Sequence, residues 1–209
     1  MLDNVYIIDD FYENPDAIRS LALRTSYLKF DDTSNYPGFE SETSFFAENH
    51  AEKFKKYIGK DIYINPEKYV YGKFRYSVEG ALSYSDVHID SPDWSAMVYL
   101  TLDKDCKGGL AIFKHKDTCM IEIPQSQEEF LKLGYKGFGD FDRKVVAPDT
   151  KNPDAWELVE LIPMKYNRLV LFKGSQYFHS ITHKFGKNVE NGRLTHSFFF
   201  NEKSKSVIK

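Results

Sequence analysis

Apolar and polar positions change period twice along the chain. Val5-Tyr6-Ile7-Ile8 predicts a short first strand. In ENPDAIRSLALRTSY, Ala17, Ile18, Leu21 and Ala22 fall on one helical stripe. Asn14 is placed to cap that helix, with Pro15 at its first position and Asp16 in its first turn. Residues 31–43, rich in Asp, Ser, Asn, Pro and Gly, predict a loop. A second helix is expected over 45–58, stopped by Gly59, with the lysines of EKFKKYIGK (52–60) on its solvated face. From Ile62 the period becomes that of strands: IYI, YVYGKFRYSV, SAMVYLTL, GGLAIFKHK and TCMIEI. Residues 124–155 break the series, SQEEFLKLG as a short helix and YKGFGDFDRKVVAPDTKNPDAW as a loop. Strands resume at ELVELIP, NRLVLF and RLTHSFFF. Helices followed by many short strands predict an α+β, mainly β domain with a sandwich or barrel core.

The 209 residues suit a single domain, 1–209, with an N-terminal strand and helices over 1–60, a β core over 62–201 and an insertion at about 115–160. The 17 Phe and 14 Tyr supply ample core. A net charge of −3 gives no basic field, so nucleic acid is not an expected partner. Cys106 and Cys119 form no Cys-x-x-Cys pair, and a reducing compartment fits them better than a disulfide framework. With no basic, apolar leader and no run of 18 apolar residues, the expectation is a cytoplasmic protein without a membrane span.

The candidate chemistry lies in DVHIDSPDW (86–94). On a strand, alternate side chains share a face, so His88 and Asp90 point together while Ile89 points away. A buried carboxylate needs a strong partner, and a metal ion is one; a plain His–Asp hydrogen bond or simple solvent exposure is the other reading. Of six histidines, His50 falls on a predicted surface helix and His115 sits among lysines, so both are expected at the surface. His179, His183 and His196 remain. His179 follows NRLVLF and a turn, as a ligand on a second strand would. Two His and one carboxylate make the facial triad of non-haem Fe(II) oxygenases, which leaves coordination positions open.

At these residues the chain resembles the 2-oxoglutarate- and Fe(II)-dependent dioxygenases, particularly the prolyl-4-hydroxylase-like branch. RYSVEGALSYSDVHID supplies Tyr76, Gly80, His88 and Asp90 in that family's order. SAMVYLTLDKDCKGGLAIF matches its next strand, Gly-Gly turn and strand. IPMKYNRLVLFKGSQYFHSITHKFGKNVENGRLTHSFFF then follows its order through the distal His179 to Arg193 and Thr195. The resemblance implies a double-stranded β-helix (jelly-roll) core with the N-terminal helices packed on one sheet. It implies Fe(II) held by His88, Asp90 and His179, with 2-oxoglutarate as co-substrate. O2 would be consumed, succinate and CO2 released, and an unactivated C–H bond of a small-molecule or peptidyl substrate hydroxylated.

Within that resemblance, Arg193 is expected to clamp the far carboxylate of 2-oxoglutarate, since a guanidinium pairs with it bidentately. Thr195 shares its face, Tyr76 and Tyr99 are candidate hydroxyl donors to the same group, and Arg168 is the competing clamp. Trp94 is placed at the start of a substrate-facing loop, and 115–160 is expected to form part of a lid. His183 and His196 are left to structural hydrogen bonds. Against these stand a catalytically silent jelly-roll binding module and a metal-dependent hydrolase, whose usual general-base motif is missing. Asp90 argues against a halogenase, which would carry a small residue there.

Overall fold

β1 (Val5–Ile8) pairs not with its sequence neighbours but with β9 (Leu169–Phe172), Val5 opposite Phe172 and Ile8 opposite Leu169. The computed structural model describes residues 2–30, 36, 38–83 and 85–203. α1 (Pro15–Arg24) is capped as its sequence predicts, the Asn14 side chain accepting from the Ala17 N–H at 3.1 Å. β2 (Tyr27–Lys29) and β3 (Phe39–Ser41) follow, and β3 occupies part of the predicted polar loop. Residues 31–35 and 37 of that loop lie outside the described residues. α2 (Glu48–Ile58) starts three residues later than its pattern suggests and ends at Gly59, whose φ of 68° is the left-handed conformation that favours glycine.

Beyond α2 come β4 (Ile62–Tyr63), β5 (Tyr71–Ser77), β6 (Trp94–Tyr99), β7 (Gly109–His115), β8 (Trp156–Pro163), then β9, β10 (Phe178–Ile181) and β11 (Arg193–Glu202). They build two antiparallel sheets. The larger has the order β1-β9-β6-β11-β5-β3-β2, with β4 also on β11; the smaller is β10-β7-β8. An isolated bridge sets His88 beside His179 at the free edge of β10, adding a fourth segment to the smaller sheet. The chain crosses repeatedly between the two sheets, and the result is a jelly roll with the N-terminal helices on its large sheet.

Strand parity sorts the side chains into three apolar layers. On β6, Trp94, Ala96 and Val98 face the helices, where they pack with Phe11, Phe54, Phe74, Phe198 and Phe200. Met97 and Tyr99 face the space between the sheets, with Leu110, Ile112, Val170 and Phe172. A third layer covers the outer face of the small sheet and brings together Phe130, Phe141, Val145, Trp156 and Phe178.

Three expectations are corrected. The stretch read as a loop is helical: after α3 (Gln127–Lys132), α4 (Phe138–Phe141) runs through a π-helical turn (Asp142–Val146) into α5 (Ala147–Asp149). Its apolar residues Phe141, Val145 and Val146 find a face in the outer layer, and that packing outweighs the local Gly and Pro signals. His50 is buried, its ring 6.3 Å from Phe11 and its Nδ1 accepting from the Ala47 N–H at 3.0 Å. His115 is buried too, between Thr118 and Asp149, each at 3.0 Å, because parity on β7 turns it toward the outer layer. The apolar run at 118–123 forms only single bridges, His115 to Met120 and Glu122 to Tyr177. Both cysteines are free, and no helix of the described residues is long and apolar enough to cross a membrane.

Candidate metal centre

His88, Asp90 and His179 converge, each offering one ligand atom, all within 4.8 Å of one another. His179 Nε2 lies 3.2 Å from Asp90 Oδ2, and His88 Nε2 lies 3.6 Å from Asp90 Oδ1. Ligands adjacent in an octahedron of about 2.1 Å radius stand about 3 Å apart, so these spacings suit one ion bound on one face. The backbone sets this geometry. His88 and His179 are bridge partners, and the Asp90 N–H donates to the Gly174 carbonyl at 3.0 Å, tying the ligand strand to the turn before β10.

The tautomers follow from the carbonyls behind the rings. His88 Nδ1 lies 2.9 Å from the Asp86 carbonyl and His179 Nδ1 lies 2.8 Å from that of Tyr177. A carbonyl only accepts, so both Nδ1 atoms donate and both Nε2 atoms keep a lone pair for a metal. The Ser95 hydroxyl donates to Asp90 Oδ2, and the Phe172 ring stands edge-on to His179 at 4.8 Å. Burial works against ionisation of Asp90, but the His179 and His88 imidazoles prevail and hold its carboxyl well below the usual carboxylate range. Burial also works against protonating His88, yet the Asp90 carboxylate beside it leaves that imidazole raised. The His88 side chain is 35% exposed and that of His179 4%, so the centre is reached from the His88 side.

The triad opens into a cavity of about 550 Å³. Parity on β11 turns Arg193, Thr195, Ser197 and Phe199 into it, while Leu194, Phe198 and Phe200 pack under the helices. Arg193 is 2% exposed. Its Nε has no hydrogen-bond partner among the described residues, and its Nη2 reaches only the Met97 sulfur at 3.4 Å. The Tyr99 ring lies 5.6 Å from that guanidinium, and the buried hydroxyls of Tyr99 and Tyr36 have no hydrogen-bond partner among the described residues. Burial pushes both phenols up, Tyr36 to about 12. A buried cation flanked by unsatisfied hydroxyls costs free energy unless an anionic acceptor joins it. A dicarboxylate's far end fits that donor set.

The other proposed residues go elsewhere. Tyr76 does not face the cavity: it stacks on Phe39 at 4.4 Å and meets the Tyr27 ring at 4.9 Å. It pairs with Leu194 in register, whereas Arg75 pairs with Thr195 and therefore points inward. Trp94 lies within β6 at 1% exposure, on the helix side, its indole donating to Glu202 at 3.1 Å, and it does not line the cavity. Arg168 is taken up by Asp9, at 2.7 and 3.1 Å. His183 sits exposed beside Thr182, and His196 is buried between Tyr12 and the Phe45 carbonyl, both at 2.7 Å. Sequence reasoning missed Arg75 and Tyr36. Arg75 was open to discovery through the pairing parity of β5 with β11. The excursion expected over the metal does wall the triad's cavity, through Phe138, Asp142, Val146, Ala147 and Thr150, but as helical turns rather than a loop.

IDO from Bacillus thuringiensis superimposes with a TM-score of 0.44 at 12% identity, over 96% of this chain and 94% of that chain. HygX from Streptomyces hygroscopicus, in a structure with nickel and 2-oxoglutarate bound, gives 0.43 and 12%, over 96% and 84%. No curated protein matches the sequence. None of these comparisons points to the prolyl-4-hydroxylase-like branch. The motif order that suggested it follows from strand order, which any jelly roll with a triad at this place shares, so it does not discriminate a branch. Over residues 2–200, the chain matches and belongs to the family described as "Family of unknown function (DUF6445)".

Proposed function

We propose that the chain is an Fe(II)- and 2-oxoglutarate-dependent oxygenase that hydroxylates an unactivated C–H bond of a small-molecule or peptidyl substrate. One observation carries the reading: a single cavity holds both a one-sided set of three ligands and a buried guanidinium whose Nε has no hydrogen-bond partner among the described residues. Iron with 2-oxoglutarate supplies oxygen activation coupled to oxidative decarboxylation, with succinate and CO2 released.

The chain's own residues bind, orient and exclude. His88, Asp90 and His179 would hold the ion from one side, leaving its cavity side open to the co-substrate. The carbonyls of Asp86 and Tyr177 fix the imidazole tautomers, and Ser95 fixes the carboxylate. Arg193 takes the far carboxylate of 2-oxoglutarate, with Thr195 and Tyr36 lining the same cavity, while Tyr99 stands by the guanidinium without lining the cavity itself. Ile89, Leu110 and Phe199 keep this end of the cavity apolar.

The test is succinate formation from 2-oxoglutarate with Fe(II), screened against amino acids and peptides, alongside Arg193→Ala and His179→Ala. Turnover that needs Fe(II) and fails in both variants supports the reading. Failure of folded wild-type protein to bind either Fe(II) or 2-oxoglutarate overturns it.

A further inference from the structure

We propose that Asp142 selects the substrate, its carboxylate receiving a cationic amine or guanidinium carried on an apolar body. The inference rests on reading the cavity as the substrate site of an oxygenase, and goes further by naming the class of molecule that enters it.

Charge accounting around the cavity leads there. Asp90 belongs to the metal set and Arg193 to the co-substrate. Arg75 is paired with Glu40 at 2.6 Å, and Lys184 faces Asp86 at 3.8 Å. Asp142 is left over. It lines the same cavity, half-buried, and among the described residues makes no side-chain hydrogen bond or ion pair. The two cations beside it in sequence are taken by a different carboxylate: Arg143 and Lys144 reach Asp140 at 2.7 and 2.8 Å. Asp140 thus engages both cations of this segment and leaves Asp142 unmatched on the cavity side. Burial alone acts on its carboxyl, pushing it up, with no cation near enough to hold it down.

The backbone supports a functional placement. Asp142 opens the π-helical turn between α4 and α5. Such turns are rare, carry one residue more than an α-turn and recur at functional sites. An unpaired carboxylate against an apolar wall is costly unless a ligand cation completes it. Phe138, Val146 and Ala147 on the same segment, with Ile181 in the same lining, present apolar surface to the rest of such a ligand.

Calorimetry on the folded protein, with and without Mn(II) and 2-oxoglutarate, tests this with chain-matched probes: n-hexylamine, n-hexanol and n-hexanoate. Wild type should prefer the amine. Asp142→Asn should lose that preference about tenfold or more while binding 2-oxoglutarate unchanged, and Asp142→Lys should move it to the carboxylate. Free lysine, set against the same lysine inside an N-acetylated, C-amidated pentapeptide, separates a small-molecule source of the cation from a peptidyl one. Equal binding of the three probes by wild type, or an amine preference untouched in both variants, overturns the proposal. Absence of 2-oxoglutarate turnover with the amine preference intact strikes the oxygenase reading and leaves the cation site standing.

Discussion

His88 and His179 are joined through their backbones, each N–H donating to the other's carbonyl at 3.0 Å. Two imidazoles of the candidate metal centre are thereby held side by side, with ring centroids 4.5 Å apart. A preset pair spares the free-energy cost of ordering ligands on binding.

The triad should therefore behave as a unit. Ala at His88, Asp90 or His179 should each abolish stoichiometric binding of Fe(II) or Mn(II) while melting stays cooperative, as calorimetry and circular dichroism would report. His183→Ala should bind metal like wild type, because that ring lies exposed beside Thr182.

Arg193→Ala should weaken 2-oxoglutarate binding by ~2–5 kcal/mol and leave metal binding nearly unchanged, since it removes a buried guanidinium whose Nε has no partner among the described residues. Arg168→Ala breaks a partly exposed pair with Asp9, and should cost at most about 1 kcal/mol of stability with no effect on co-substrate affinity. Titration of both variants with 2-oxoglutarate decides which arginine is the clamp.

Gly174 offers a steric test. A Cβ there would collide with Ser95 Oγ and lie 2.6 Å from Asp90 Oδ2, so Gly174→Ala must displace the hydrogen-bonded Ser95–Asp90 pair or the turn. Metal affinity should fall sharply in a protein that still folds, whereas Gly139→Ala, with open space around its Cβ position, should leave affinity intact. Unchanged affinity at position 174 would show that Asp90 does not need the orientation described.

Stability should fall with acid in a defined window. Burial lowers His50 to about 4 and His196 to about 3, both from an ordinary value of 6.5. The unfolded chain then takes up these protons first. The contribution is full above 6.5 and is lost as pH falls toward about 3, at up to about 1.4 kcal/mol per pH unit for each imidazole. Urea unfolding between pH 7 and 4 measures the slope, which His196→Gln should reduce.

Much of this was legible in the sequence because it depends on local rules. Asn14, Pro15 and Gly59 bounded helices through capping chemistry. His88 and Asp90 could be placed on one face by period two alone. What failed depended on tertiary parity. Tyr76 and Trp94 were assigned by position in a motif, and only the register of β5 and β6 against β11 shows that they face the helices. β2, β3 and β10, of three or four residues each, are too short to show a period. His50 and His115 were judged by polar neighbours in sequence, although each turns its ring into an aromatic layer.

The wall from Phe138 to Thr150 enters the chain as one continuous excursion between β7 and β8, while His88, Asp90, His179 and Arg193 lie on or beside other strands. On the proposed reading, chemistry and selectivity are thus inherited on separate stretches of sequence. Substitutions can accumulate in the excursion and redirect the protein to a new molecule without disturbing the reaction, and a transplant of 134–155 between relatives should carry preference with it.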